Sequence, residues 1–287
     1  MVTSFKMDDC LLFFLEDGSF AIDAGAYYGI VPKMIWEKFA QVDEFNRCTM
    51  KMNPLLVKTP VHTVLIDPGL GDKYSEKQRF IYDIKNEKNL SKSLHEMNLS
   101  PGGDIDIVIA THMHFDHIGA LTRKEENGKI VPTFPNAVHY FQKGEWEEAI
   151  NPDERTKATY FKENFIPLQE KGLVQLIEGN EQIIPHIRVE KTGGHTKHHQ
   201  MVLIESNGQT AVFPGDILPS IDHLPVPYVM ALDLYPVDVM AQKRELYLRA
   251  MEENWIICID HASGEKAGRI QLEGKKYIFE PVNLNYS

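Results

Sequence analysis

The stretch THMHFDHIGA, residues 111–120, places His112, His114, Asp116 and His117 within six positions. Imidazole nitrogen and carboxylate oxygen are the donors that suit Zn²⁺ and other first-row divalent ions. A polar surface loop accounts for one or two such residues; the HxHxDH spacing points to a metal. His112 and His114 lie two apart, so an extended backbone projects them to one side. Asp116 and His117 follow a turn of the chain and can face the same cavity from another wall.

One loop does not easily surround a cation, so further ligands are expected from elsewhere. TGGHTKHHQMVLIES carries His195 in a Gly-rich loop ahead of an apolar run, TAVFPGDILPS ends such a run at Asp216, and WIICIDHASG ends another at His261. His62, His95, His139 and His186 stand in no such pattern and read as ordinary solvated or hydrogen-bonded histidines.

The elements that must position these groups show as short runs rich in Val, Ile, Leu and Phe, closed by Gly, Pro, Asn or Asp. They are LLFFL, SFAIDAG, PLLVKT, HTVLIDPG, IDIVIA, AVHYF, LVQLIEG, IRVEKT, QMVLIES, TAVFPGD and WIICID, all read as strands. The His-rich stretch follows IDIVIA, and IGALTR after it reads as a helix start, so the cluster falls in a strand-to-helix loop. Helical patterns appear in SEKQRFIYDIKNEKNLSKSLHEMN, KGEWEEAI and VDVMAQKRELYLRAMEENW, the last with Met240, Tyr247, Met251 and Trp255 at helical spacing. Strands in hairpin-like succession with interspersed helices predict an α/β sandwich of two mixed sheets, packed face to face and flanked by helices. No linker or repeat divides the chain, so residues 1–287 are expected to form one domain.

The 287 residues are 43% hydrophobic and 25% charged, an ordinary globular balance, with a formal net charge of −11. That charge argues against a nucleic-acid partner, whose phosphates are neutralised by Lys and Arg. No apolar run reaches the length of a membrane span, so no membrane association is expected. Cys10, Cys48 and Cys258 form no CxxC pair. Sparse, odd cysteines favour a reducing compartment, and a cytoplasmic protein is expected.

The order THMHFDH, GGHT, GD and a late DH resembles the metallo-β-lactamase superfamily. AYYGIVPKMIWEKF, LIDPGLGDK, PSIDHLPVPYVMALDLYP and the final IDH are similar to its branch of acyl-homoserine-lactone lactonases and methyl-parathion-hydrolase-like enzymes. The resemblance implies an αββα fold and two divalent ions, Zn before Mn, Fe or Co. His112, His114 and His195 would hold the first; Asp116, His117 and His261 would hold the second; Asp216 would bridge them. His195 is chosen over His198 and His199 as the histidine of the GHT motif, with His199 a supporting neighbour. Asp67 in LIDPG would orient the loop.

The implied activity is quorum-quenching-type hydrolysis of a small-molecule lactone or related ester by a hydroxide between the ions, with Asp116 shuttling the proton. A possible homodimer follows from the branch. The lactonases carry a tyrosine three residues after the bridging aspartate, where this chain has Pro219. His223 or Tyr228 would have to substitute, and Tyr27 and Tyr28 would line the substrate pocket. A thioester hydrolase of the glyoxalase II kind and an aryl phosphotriester hydrolase are the alternatives. A persulfide-oxidising iron enzyme and a non-catalytic module of the same fold are the more distant ones.

Overall fold

Runs such as VLI and IVI have no polar alternation, which suits strands covered on both faces. In the computed structural model, which describes residues 2–286, Val64 and Ile66 face one apolar layer and Leu65 the other. Their strand, Thr63–Ile66, lies inside an eight-stranded sheet. The order is Val174–Ile177, Val138–Gln142, Ile107–Ile109, Thr63–Ile66, Leu55–Lys58, Cys10–Phe14, Thr3–Met7 and Asn285–Tyr286. A seven-stranded sheet runs Glu181–Ile184, Ile187–Lys191, Gln200–Ser206, Gln209–Phe213, Ile256–Cys258, Ala267–Glu273 and Lys276–Pro281.

The inner layer joins Phe14, Leu55, Val64 and Ile109 of the first sheet to Val202, Ile204, Phe213 and Cys258 of the second. Outside the first sheet, Trp146 of Lys143–Ile150 and Leu90 and Leu94 of Leu90–Glu96 cover Leu65 and Val108. Outside the second, Leu246, Tyr247 and Ala250 of Pro236–Glu252 cover Leu203, Val212 and Ile257. This is the four-layered sandwich of two mixed sheets expected from the pattern. Among the described residues no helix is long and apolar enough to cross a membrane.

The long helical pattern at 75–98 is not one helix. Glu76–Tyr82 opens on a Ser75–Gln78 capping box and stops at Asp83, which adopts φ +42°. Lys85 then exchanges two 2.8 Å backbone hydrogen bonds with Ser19, and helix resumes at Leu90–Glu96 under an Asn89 cap. Pairing with a distant strand outweighs local propensity there.

IGALTR is also not a helix start. The helix is the single turn Phe115–Ile118, and Gly119–Leu121 is a tighter turn leading into the strand Thr122–Lys124. Gly119 is required by packing: a Cβ would stand 1.8 Å from the Leu70 carbonyl oxygen. Thr3–Met7 and the hairpin Ala267–Glu273/Lys276–Pro281 escape the pattern reading because charged residues interrupt their apolar runs.

Lys243, fully buried on Pro236–Glu252, donates to the carbonyls of His223, Pro225 and Tyr228 and so holds the loop after Asp216. Lys243→Met keeps the volume but strips three carbonyls of their donor. It should cost about 2–4 kcal/mol, measured as a lowered thermal midpoint; an unchanged midpoint would mean the ammonium carries no part of that loop.

Candidate metal centre

Each sheet contributes one parallel strand pair at this site. Thr63–Ile66 runs beside Ile107–Ile109, and Gln209–Phe213 beside Ile256–Cys258. Just past the C-terminal ends of these four strands stand Asp67, the 112–117 segment, Asp216, and Asp260 with His261. His195 comes from the loop before Gln200–Ser206. Eight groups at the site, His112, His114, Asp116, His117, His195, His199, Asp216 and His261, are all buried.

The geometry sorts these groups into two sets. His112 Nε2 and His195 Nε2 each lie 3.0 Å from His114 Nδ1. Asp116 Oδ2 lies 3.5 Å from His117 Nε2 and 3.9 Å from His261 Nε2. Asp216 stands between them. Its Oδ2 is 3.2 Å from His195 Nε2, while its Oδ1 is 3.2 Å from His261 Nε2 and 3.5 Å from His117 Nε2.

What these nitrogens offer is decided on their far sides. The Thr111 hydroxyl donates to Asp67 Oδ2 at 2.6 Å, so it can only accept from His112 Nδ1–H at 3.0 Å. His117 Nδ1–H donates to Asp67 Oδ2 at 2.8 Å, His195 Nδ1–H to Asp233 Oδ1 at 2.8 Å, and His261 Nδ1–H to the Lys51 carbonyl at 3.0 Å. A neutral imidazole with its proton on Nδ1 presents a lone pair on Nε2. Four Nε2 atoms and two carboxylates thus converge, a set that presents only lone pairs once its imidazoles are neutral, and His117 Nε2 has no hydrogen-bond partner. Only cations complement such a set, so the residues fit divalent metal.

Burial and mutual proximity push His112 and His114 well below the usual imidazole range. For His117, burial opposes protonation, but Asp116, Asp216 and Asp67 outweigh it and draw the group well up. His261 is drawn up to about 9 by Asp260 and Asp216 against the same opposition.

Residues the sequence reading did not single out complete the surroundings. Asp233 holds His195 and also accepts from the Met230 N–H. Asp260 accepts from the Asn53 N–H and stands 3.3 Å from His117 Nδ1. Glu145, buried, accepts from the Met113 N–H, the Tyr160 hydroxyl and the Thr196 hydroxyl, tying the HxHxDH loop to the GHT loop. Asp233 and Asp260 did carry a signal: both lie in quoted stretches, LDLYP and CIDH, as acids inside apolar surroundings. His199 accepts the Asp216 N–H at 3.2 Å, as expected of a supporting neighbour. Its other ring nitrogen meets the Thr192 hydroxyl at 2.7 Å.

A cleft of about 330 Å³ opens over His114, Asp116, His195 and Asp216. Phe20, Ile22, Met50, Tyr82, Phe115 and Met230 make most of its wall, with Arg155 and Thr156 on one side.

Four expected substrate-facing residues are not among those lining this cleft. His223 is buried with both ring nitrogens engaged, by the Ser220 hydroxyl and the Tyr27 carbonyl, so it has no free group for a substrate. Tyr28 stacks on His223 and donates to Asp222 Oδ2 at 2.9 Å. Tyr27 packs edge-on against His223, and Tyr228 joins the same apolar cluster. Tyr27, Tyr28 and Tyr228 belong to the apolar cluster that also holds Phe20, Met50, Phe115 and Met230 of the cleft wall. His139 departs from expectation too, being fully buried with neither ring nitrogen in a hydrogen bond and pushed down to about 4 by that burial.

Comparison with known proteins gives a match of residues 53–261 to the family model of the metallo-beta-lactamase superfamily. An N-acyl homoserine lactonase of Bacillus sp. is 28% identical over 170 residues, which are 59% of this chain and 58% of the relative's length. The N-acyl homoserine lactonase AttM of Rhizobium radiobacter is 28% identical over 128 residues, 42% of this chain and 44% of that protein. Among solved structures, a probable metal-dependent hydrolase from Staphylococcus aureus is 32% identical, covers 97% of this chain and 99% of its own, and superposes with a TM-score of 0.89. The dizinc quorum-quenching lactonase AidC, solved with a product, shares the fold at a TM-score of 0.80, 20% identity, and coverage of 98% and 97%.

Two outcomes follow from the geometry. Asp233→Asn should weaken metal retention by about 10–100-fold through loss of the His195 orientation, read by chelator competition; retention equal to wild type would remove Asp233 from the support of the site. Because His261 stays protonated up to about pH 9 in the protein alone, a cation needing its lone pair must displace a proton. Zn²⁺ binding should therefore release protons at pH 7 and tighten as pH rises toward 9, measurable by calorimetry in buffers of different ionisation enthalpy. Binding heats independent of buffer would contradict this.

Proposed function

The chain belongs to the metallo-beta-lactamase superfamily and is a metal-dependent hydrolase, and on that premise we propose that it carries a dinuclear centre and opens a lactone or a closely related ester. His112, His114 and His195 would hold one ion, Asp116, His117 and His261 the other, with Asp216 shared. The observation that carries this reading is the placement of Asp216, whose two carboxylate oxygens face different histidine sets at 3.2 Å. A carboxylate serving one ion has no need of that arrangement.

When bound, two divalent ions supply a nucleophilic water at neutral pH and an electrophile for the carbonyl oxygen. The donor set of imidazoles and carboxylates accepts Zn, Mn, Fe or Co, with Zn the first choice. The chain's own residues do the rest. Asp116, at the cleft floor, accepts a proton from the attacking water and returns it to the leaving oxygen, so the ring opens to an acid and an alcohol. Asp67, Asp233 and the Lys51 carbonyl keep the Nε2 lone pairs aimed inward throughout. Phe20, Met50 and Phe115 exclude water beside the reacting carbonyl and favour a substrate with an apolar acyl part. The relatives named N-acyl homoserine lactonases support a small-molecule lactone of the quorum-signal kind. The thioester alternative needs a basic pocket for a glutathione-like anion, and the described cleft lining holds a single Lys or Arg.

The test is acid release in a pH-stat when the Zn- or Mn-loaded protein meets a long-chain acyl-homoserine lactone. Steady release, reduced at least about a hundredfold in His117→Ala and in Asp216→Asn, is the expected result. Full activity in either variant would sink the ligand assignment. No release by wild type would move the substrate to aryl esters or phosphotriesters.

A further inference from the structure

Among the described residues lining the cleft, Arg155 is the one Lys or Arg. It follows an Asx turn in which Asp153 Oδ1 accepts the N–H groups of Arg155 at 2.9 Å and Thr156 at 2.8 Å, so its backbone is fixed. Its Nη2 donates to the Ala231 carbonyl at 2.9 Å and lies 3.5 Å from the Asp233 carbonyl. Among the described residues Nε and Nη1 make no hydrogen bond, and the acid that acts on the guanidinium, Asp153, does so without a direct ion pair. The neighbouring hydroxyls are already committed, Thr156 Oγ1 to Asp153 and Thr159 Oγ1 to the Thr156 carbonyl.

Arg155 is an always-charged, exposed group held at the cleft's edge with spare donors, beside the apolar residues Leu232, Leu234 and Met230, an arrangement that suits an anion. We propose that Arg155 forms a far subsite of the cleft that binds a carboxylate at the end of the substrate's acyl part. The substrate class is then an ester or lactone whose acyl chain crosses the apolar wall and ends in an anion. This rests on the hydrolase reading of the metal-facing end of the same cleft. It goes beyond that reading in assigning the chain's terminus a charge.

The experiment compares mono-4-nitrophenyl esters of succinic, adipic and suberic acids with neutral 4-nitrophenyl esters of equal chain length, using metal-loaded wild type, Arg155→Gln and Arg155→Lys. For the chain length that reaches Arg155, the charged ester should be favoured roughly tenfold or more in kcat/KM, mainly through KM. The charged-to-neutral ratio should fall to near one in Arg155→Gln, be partly kept in Arg155→Lys, and shrink with added salt. A ratio near one in wild type at every length, or a ratio unchanged by Arg155→Gln, overturns the proposal and leaves Arg155 as a pin for the loop after Met230. Calorimetric binding of adipate and suberate against hexanoate and octanoate reads the subsite without turnover. Tighter binding of the dicarboxylate in wild type alone upholds it, and equal binding overturns it, even should no ester be hydrolysed and the hydrolase substrate reading fail.

Discussion

Everything at the site depends on which nitrogen of each histidine carries the proton, and Asp67 decides it for two of them. Its carboxylate accepts from the Thr111 N–H at 2.7 Å, from the Thr111 hydroxyl and from His117 Nδ1–H. Through Thr111 it turns His112, and directly it turns His117, so one buried acid orients a ligand in each set. Asp67 pays for that position with an unusual backbone, φ +44° in a non-glycine residue. The strain is held by its own N–H on the Ile109 carbonyl at 3.0 Å and by the Gly69–His117 hydrogen bond at 3.0 Å.

The sandwich supplies this precision because every one of these groups but His195 follows closely on the end of a rigid strand. Each sheet presents the C-terminal ends of a parallel pair at the same edge, and the inner apolar layer locks the two sheets against each other. Gly215 is a tight junction of this edge. It adopts φ +52°, and a Cβ there would lie 2.7 Å from His199 Nε2 and 2.8 Å from Thr111 Oγ1. Any side chain before Asp216 would thus push the shared carboxylate away from both histidine sets at once.

The ligand-type residues were legible because their chemistry is rare: three histidines and an acid in six positions have few structural uses, and His195, Asp216 and His261 each end or precede an apolar run. The sandwich was legible from unalternating runs such as VLI and IVI. Other features depend on contacts that no local pattern encodes. The 75–98 pattern has helical spacing throughout, yet Lys85 pairs with Ser19 and breaks it. His223 and Tyr28 looked available in sequence, but their polar groups are consumed by Ser220, a backbone carbonyl and Asp222. Arg155 carries no motif, and its place at the cleft follows from the Asp153 turn and the Ala231 carbonyl, contacts that no local pattern encodes.

The charge held at this edge explains why the structure and its cations are linked. Asp67, Asp116, Asp216, Asp233 and Asp260 are all buried there, and burial already draws the Asp260 carboxyl up to about 6. Five acids gathered out of water repel one another unless positive charge stands among them. Imidazolium protons on His117 and His261 provide some of it, as the upward shifts of both groups record. Divalent cations provide more, and they use the lone pairs those protons would block. Proton and metal therefore compete for the same role, and a cation at a thousand times its dissociation constant adds about 4 kcal/mol to the folded state. A site this acidic is tolerable only as half of a pair, and the fold supplies the other half's geometry in advance.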